Sequence, residues 1–261
     1  MEIKKMEEKN ETLKVLVKDT NPAMMNALRR ISMKGIPVLA IEDVAIVKNN
    51  SLLFDEVIAQ RLGQVPLDFD PDKFEMHGEC DCEEGCPNCE AVFSLKVEGP
   101  GKVYSGDLVC ESGEIEPFYD EIPLTELDEN QEIEMEATAI LSTGEDHSKH
   151  QAAISSYQYY PIINVDQDEL TKKEKKEVAE LCPRGVFEVK DGKLEVTEEA
   201  RCTLCRECVE AVGPEGITVA GDDEKFIFKV ESISALEPDW IIKKTAEILE
   251  EKADKVIDKL D

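Results

Sequence analysis

Eight of the nine cysteines in this chain fall into two groups of four, and each group obliges the backbone to converge on one point. The second group is the more demanding. In "RCTLCRECVEAVGPEGI" (201–217), Cys202, Cys205 and Cys208 follow C-x2-C-x2-C, a spacing that serves three corners of an iron–sulfur cube. A cubane needs four thiolates. Where the fourth would fall, just before a proline, the chain has Val212, Gly213 and then Pro214. The missing ligand must come from elsewhere.

An internal repeat supplies it. "CPRGVFEVKDGKLEV" from Cys182 and "VGPEGITVAGDDEKFIF" from Val212 match Pro183 with Pro214, Gly185 with Gly216 and Val186 with Ile217. In two-cluster ferredoxins each half reads C-x2-C-x2-C-x3-C-P, and the last cysteine of one half ligates the other half's cluster. Here the second half keeps its first three cysteines and the first half keeps only its Cys-Pro. Cys182, Cys202, Cys205 and Cys208 are therefore one complete ligand set. The other set has gone, its positions taken by Lys172, Lys175, Val178 and Val212. The reading is one [4Fe–4S] cluster, ahead of zinc, in a ferredoxin-like segment. A cluster can tie two stretches of chain together where the core is small, much as structural zinc does. No second redox centre is visible in the sequence, which favours a structural or sensing role over electron transfer.

The first group, "ECDCEEGCPNCEAVF", places Cys80, Cys82, Cys86 and Cys89 as C-x-C-x3-C-x2-C. Four thiolates this close suit a tetrahedral structural zinc on a loop, with Gly85 and Pro87 allowing tight turns. Glu79, Asp81, Glu83, Glu84 and Glu90 make the surroundings anionic, as a cation site would. A second cluster or disulfides are the competing readings. Cys110 is left over and is expected to be a buried apolar residue. His77, three residues before Cys80, is an alternative ligand or a solvated loop residue.

In a reducing compartment, nine cysteines read as metal ligands ahead of disulfides. The N-terminus "MEIKKMEEKNETLKVLV" has no apolar core of a signal peptide, and no later run reaches transmembrane length, so the expectation is cytoplasmic. With 59 acids against 30 bases the chain carries −29, and the acids are spread along its whole length. Such a surface repels phosphate backbones and excludes a general nucleic-acid binder.

"TLKVLVKD" (12–19) alternates as a strand, and Asn21 with Pro22 opens a helix whose Met24, Leu28 and Ile31 share one stripe. Gly35 and Pro37 end it; "VLAIEDVAIVKNN" reads as a strand and "SLLFDEVIAQRLGQVP" as a short helix stopped by Gly63. Alternating runs such as "AVFSLKVEG", "GKVYSGDLV" and "EIEMEATAIL" predict a mostly β module. After "KFIFKVESI" the chain closes on a helix in which Ile242, Ala246, Leu249, Ala253, Val256 and Leu260 form a 4-3-4-3-4 seam. A seam of that spacing serves lengthwise helix pairing or packing on the chain's own sheet.

The expected class is α+β. A discontinuous domain of strands plus helices (1–46 and 221–261) is interrupted by a β-rich domain (47–165) carrying the cysteine loop 80–89, and by the ferredoxin-like segment 166–220. No nucleophile elbow, phosphate loop or dinucleotide fingerprint occurs. The "EDHSKHQ" stretch with His147 and His150 reads as a polar turn. No catalytic residue is expected.

"MNALRRISMKGIPVLAIEDVAIVKNNSLLFDEVIAQRLGQVPL" (25–67) resembles the assembly subunit of multisubunit RNA polymerases, most of all its archaeal form. That family is the counterpart of the bacterial alpha N-terminal domain and of the third-largest subunit of eukaryotic polymerase II. The N-x-L-R-R…I-P and E-x-I-A-x-R-L-G-x-x-P-L patterns carry it, through Asn26, Leu28, Arg29, Arg30, Ile36, Pro37, Glu56, Ile58, Ala59, Arg61, Leu62, Gly63, Pro66 and Leu67. "DHSKHQAAISSYQYYP" resembles the family's H-A-K…P segment but departs at Gln151 and Ala152. The eukaryotic counterpart also carries C-x-C-x3-C-x2-C here, which favours zinc. The resemblance implies a platform that lacks an active site of its own within a DNA-directed RNA polymerase, a nucleotidyltransferase complex. It implies pairing of its terminal helices with subunit L, docking of the large catalytic subunits, and assembly contacts at Arg29, Arg30 and Arg61. A ferredoxin-type electron-transfer protein is the alternative.

Overall fold

The structure, a computed structural model, describes residues 1–82 and 85–260. Glu83 and Glu84, two of the acids expected to flank the first cysteine group, lie outside the described residues.

Two compact units are distinguished. One comprises Met1–Lys9, Leu13–Ala27 and Ser156–Lys229; the other comprises Asn10–Thr12, Leu28–Ser155 and Val230 onward. Strands β1 (Glu2–Lys9) and β2 (Thr12–Lys18) lead into α1 (Pro22–Lys34). Leu13, Val15 and Val17 are buried on one face of β2, as its alternation requires. β1 is exposed at every position. Helix α1 starts where expected, because the Asn21 side-chain oxygen accepts a hydrogen bond from the Met24 amide at 3.0 Å. Its turn to β3 (Val38–Asn49) passes through Gly35, where an added Cβ would meet Ile31 at 3.1 Å. Helix α2 (Asp55–Leu62) buries Ile58 and Leu62 and ends on Gly63.

The middle of the chain is strand-rich: β4 (Leu67–Asp68), β5 (Glu90–Glu98), β6 (Gly101–Tyr104), β7 (Val109–Cys110), β8 (Glu116–Pro117), β9 (Pro123–Leu127) and β10 (Glu132–Ser142). The alternating run "GKVYSGDLV" supplies β6 and the start of β7, separated at Ser105–Asp107 by a short 3₁₀ turn. Strand β10 is central. It pairs antiparallel with β3, from Ile133 opposite Asn49 to Ser142 opposite Val38, and with β5, from Glu132 opposite Glu98 to Ile140 opposite Glu90. This four-stranded sheet, in the order β3-β10-β5-β7, buries Phe93, Leu95, Ile133, Ala137 and Ala139. Burying a side chain of Phe or Leu size contributes about 1.5–3 kcal/mol each.

Strand β11 (Ala153–Val165) precedes α3 (Lys172–Leu181), the hairpin β12 (Phe187–Lys190) and β13 (Lys193–Val196), α4 (Glu207–Val212), β14 (Ile217–Ser232) and α5 (Pro238–Ile257). A second four-stranded sheet runs β1-β2-β14-β11. The expected domain boundaries at 46/47 and 220/221 fall inside β3 and β14, which run unbroken through them. The boundary at 165/166 falls at the end of β11.

Between β11 and β14 a small core gathers Leu170, Val178, Val186, Phe187, Leu194, Cys208 and Ile217. Thr171 and Glu174 close a capping box that starts α3, and Pro183 follows its last turn. Of the four positions that the repeat leaves without cysteines, Lys172 is exposed and the other three are buried or packed against this core. Val178 is fully buried, Val212 packs against the same core, and buried Lys175 reaches the Gly192 carbonyl at 3.5 Å. No helix among the described residues is long and apolar enough to cross a membrane.

Candidate metal sites and partner surfaces

The first cysteine group hangs from the start of β5, since Cys89 directly precedes Glu90. Backbone bonds shape the loop: the Cys80 amide donates to Met76 O at 3.0 Å, and the Cys89 and Glu90 amides both donate to Cys86 O at 2.9 Å. The four Sγ atoms all lie within 4.8 Å of one another. Three separations are closer still: Cys80–Cys86 3.5 Å, Cys82–Cys89 3.4 Å and Cys86–Cys89 3.7 Å. All exceed an S–S bond of about 2.05 Å, and the cysteines are free thiols. The Cys86 amide points at Cys89 Sγ, 3.3 Å away. This donor set can hold a metal ion.

The thiols are not equivalent. A hydrogen bond from the Asn88 backbone, followed by one from the Cys80 thiol, draws the Cys86 pKa down. Burial, reinforced by the Cys82 side chain, pushes Cys89 up to about 12. His77 Nε2 lies 2.8 Å from the carboxylate of Glu90, the residue after Cys89, and is not part of the four-sulfur group.

The second group is delivered by different elements. Cys182 caps the C-terminus of α3, Cys202 follows a single 3₁₀ turn, and Cys208 lies in α4. Cys208 is buried, Cys182 and Cys202 are half-buried, and Cys205 is exposed. The loop is wound tightly. Leu204 and Arg206 both adopt left-handed backbone, at φ 59° and 63°, and the Leu204 amide approaches Cys202 Sγ at 3.4 Å. Burial raises the Cys202 thiol, and the charges of Cys205 and Cys182 raise it further. Cys208 is raised by burial and then by Cys202 and Cys205. Among the described residues, only the first group brings four ligand atoms close enough together to hold one metal ion; the second group does not.

Helix α5 has two apolar faces. Pro238, Ile241, Thr245 and Ile248 are buried within the chain, and the Thr245 hydroxyl donates to Ile241 O at 2.7 Å. The 4-3-4-3-4 seam lies one residue round from that face. Ile242 and Leu249 are half-buried, Ala246 and Ala253 are exposed, and Val256 is 60% exposed. The helix ends at Ile257, so Leu260 at 82% exposure lies beyond it. On α1, Met24 is exposed and Leu28 half-buried, whereas Ile31 is buried with Met25 and Ser32.

The three arginines differ. Arg61 Nη1 donates to Leu124 O at 2.8 Å and is thus tied to β9. Arg29 Nη1 lies 3.5 Å from Met33 Sδ, and Arg30 is exposed. Cys110 is buried as expected. The stretch expected to be a polar turn is one, exposed from Glu145 to Ser148, but His150 at its end is 1% exposed, its Nδ1–H donating to Val38 O at 2.8 Å. Its Nε2 faces Glu42 at 3.6 Å, and Lys149 pairs with the same carboxylate while donating to Ile41 O at 2.9 Å. Only the sequence order His-Ser-Lys-His hinted at this network.

The RNA polymerase Rpb3/RpoA insert domain family matches residues 44–168. Across nearly the whole chain, the protein is 39% identical to DNA-directed RNA polymerase subunit Rpo3 of Methanosphaera stadtmanae, covering 98% of this chain and 97% of that one. It is 38% identical to the Rpo3 subunit of Archaeoglobus fulgidus, over 98% and 96%. DNA-directed RNA polymerase II subunit rpb3 of Dictyostelium discoideum is 32% identical over 96% and 92%. The chain belongs to this Rpo3/Rpb3 family of RNA polymerase subunits.

Proposed function

We propose that the chain is the non-catalytic assembly platform of an archaeal DNA-dependent RNA polymerase. It pairs with the small subunit L through α5 and the start of α1, and docks the large catalytic subunits. The observation that carries this is the second apolar face of α5. A helix already packed by Ile241, Thr245 and Ile248 needs no further apolar stripe for its own stability, yet Ala246, Ala253 and Val256 are exposed in a row at lengthwise-packing spacing. A facing helix would cover them. On this reading residues 1–46 and 221–261 make the pairing domain, 47–165 the inserted domain and 166–220 the ferredoxin-like segment. Arg29, Arg30 and Arg61 are its assembly contacts.

Cys80, Cys82, Cys86 and Cys89 hold one structural zinc. Zn–S bonds of about 2.3 Å place tetrahedral sulfurs about 3.8 Å apart, close to the 3.4–3.7 Å separations here. Cubane thiolates sit on four separate irons and must spread wider. Cys182, Cys202, Cys205 and Cys208 hold one [4Fe–4S] cluster, a reading supported by the C-x2-C-x2-C spacing with its remote Cys-Pro and by the tight winding of the 202–208 loop. When bound, it cross-links α3 to the 202–208 loop. Anaerobic native mass spectrometry of the tagged chain from its source cells tests all of this. The expected result is co-purifying polymerase subunits with the mass of one Fe4S4 and one zinc. A solitary chain, or one bound only to a reductase, would move the ferredoxin reading to the front.

A further inference from the structure

In a chain of charge −29, four cationic side chains converge on one cleft of about 400 Å³ in the first unit. Lys14 comes from β2 and Lys229 from β14, while Arg184 and Arg201 flank the cysteine ligands at Cys182 and Cys202. No carboxylate side chain lines it among the described residues; Gln158 and Thr203 add polar groups and Ile227 an apolar floor. Acids at its margin hold two of the cations loosely: Glu7 lies 2.6 Å from Lys14 and Glu198 3.4 Å from Arg201, with the lysine 40% and the arginine 57% exposed. Exposed pairs of this kind are worth little and exchange readily for another anion.

We propose that this cleft docks an acidic peptide segment of a neighbouring polymerase subunit, an assignment of occupant that rests on the platform reading above. Charge complementarity is the argument. Arginine forks and lysines suit carboxylates, and the apolar floor suits aliphatic residues interleaved with them. A nucleic-acid strand fits less well, because its phosphates would continue past the cleft onto a strongly acidic surface.

The test titrates the full, cluster-loaded chain with a short fluorescein-labelled peptide of alternating glutamate and valine, against a single-stranded oligonucleotide of matched length. Saturable peptide binding that weakens with salt is expected. It should be roughly fivefold weaker or more in Lys14→Gln/Lys229→Gln, with visible iron–sulfur absorbance unchanged. Absent binding, equal affinity in the double variant, or tighter binding of the oligonucleotide would each overturn the proposal. A photo-crosslinker at Gln158 in assembled polymerase then identifies the occupant. A crosslink to another polymerase subunit supports the assignment, and its absence despite peptide binding overturns it. Normal polymerase assembly by the double variant leaves the platform reading standing, so the two can fail separately.

Discussion

At Thr125, Oγ1 is buried without a hydrogen-bond partner among the described residues. A buried hydroxyl left unpaired has given up its water for nothing in return. Thr125→Val keeps the shape and removes the cost, so it should stabilise by about 1 kcal/mol. Thermal unfolding should shift upward by roughly 2–4 °C; an unchanged or lower midpoint would mean the hydroxyl is satisfied in solution. The thiols make a second argument at this scale. Cys89 holds its proton up to about 12, so a metal ion must displace it, while Cys86 is drawn the other way. Raising pH removes the competing proton, so affinity rises with pH through neutrality, by roughly tenfold per unit for each proton displaced. Zinc competition against a chromophoric chelator reads that slope, and a flat profile would exclude thiol coordination.

Among the elements, α5 separates what serves the fold from what serves a partner. Ile241 is fully buried, and Ile241→Ala should cost about 2–5 kcal/mol in the chain alone. Val256 is 60% exposed, and Val256→Asp should leave that stability within about 0.5 kcal/mol. The same substitution puts a charge into the proposed helix–helix seam and should abolish co-elution with co-expressed subunit L. If Val256→Asp pairs normally, the seam is not the interface. The buried face was harder to read than the seam because Thr245 occupies it, satisfied by its own helix through Ile241 O. An apolar count sees no such residue. Strand β1 escaped for the opposite reason: with every position exposed, "EIKKMEEK" carries no alternation to detect. Helices α1 and α2 were legible because Asn21, Gly35 and Gly63 punctuate them chemically.

Over the whole molecule, the cysteine groups were legible to different depths. Sequence spacing sufficed for Cys80–Cys89, whose sulfurs meet within ten residues of chain. The second group was read through the repeat alone: Cys182 lies on a helix end well before the 202–208 loop, and its set is not among the close ligand groups of the described residues. The place of His150 was not legible, since its burial depends on Val38 O, a contact across more than a hundred residues. The same division governs what losing the cluster should do. The 166–220 segment has a small core around Val178, Val186, Leu194 and Ile217, and the proposed cluster is its main cross-link. Cys205→Ser removes an exposed ligand without opening a cavity in that core. Visible iron–sulfur absorbance should fall, and amide exchange should quicken across residues 172–212. Incorporation of the large subunits should weaken with it. Exchange in β3, β10 and α5 should be unchanged, and pairing with subunit L should survive, because the α5 seam lies in the other unit. Hydrogen exchange with co-purification measures both, and loss of L pairing in Cys205→Ser would sink this division of labour between the cluster segment and the helix seam.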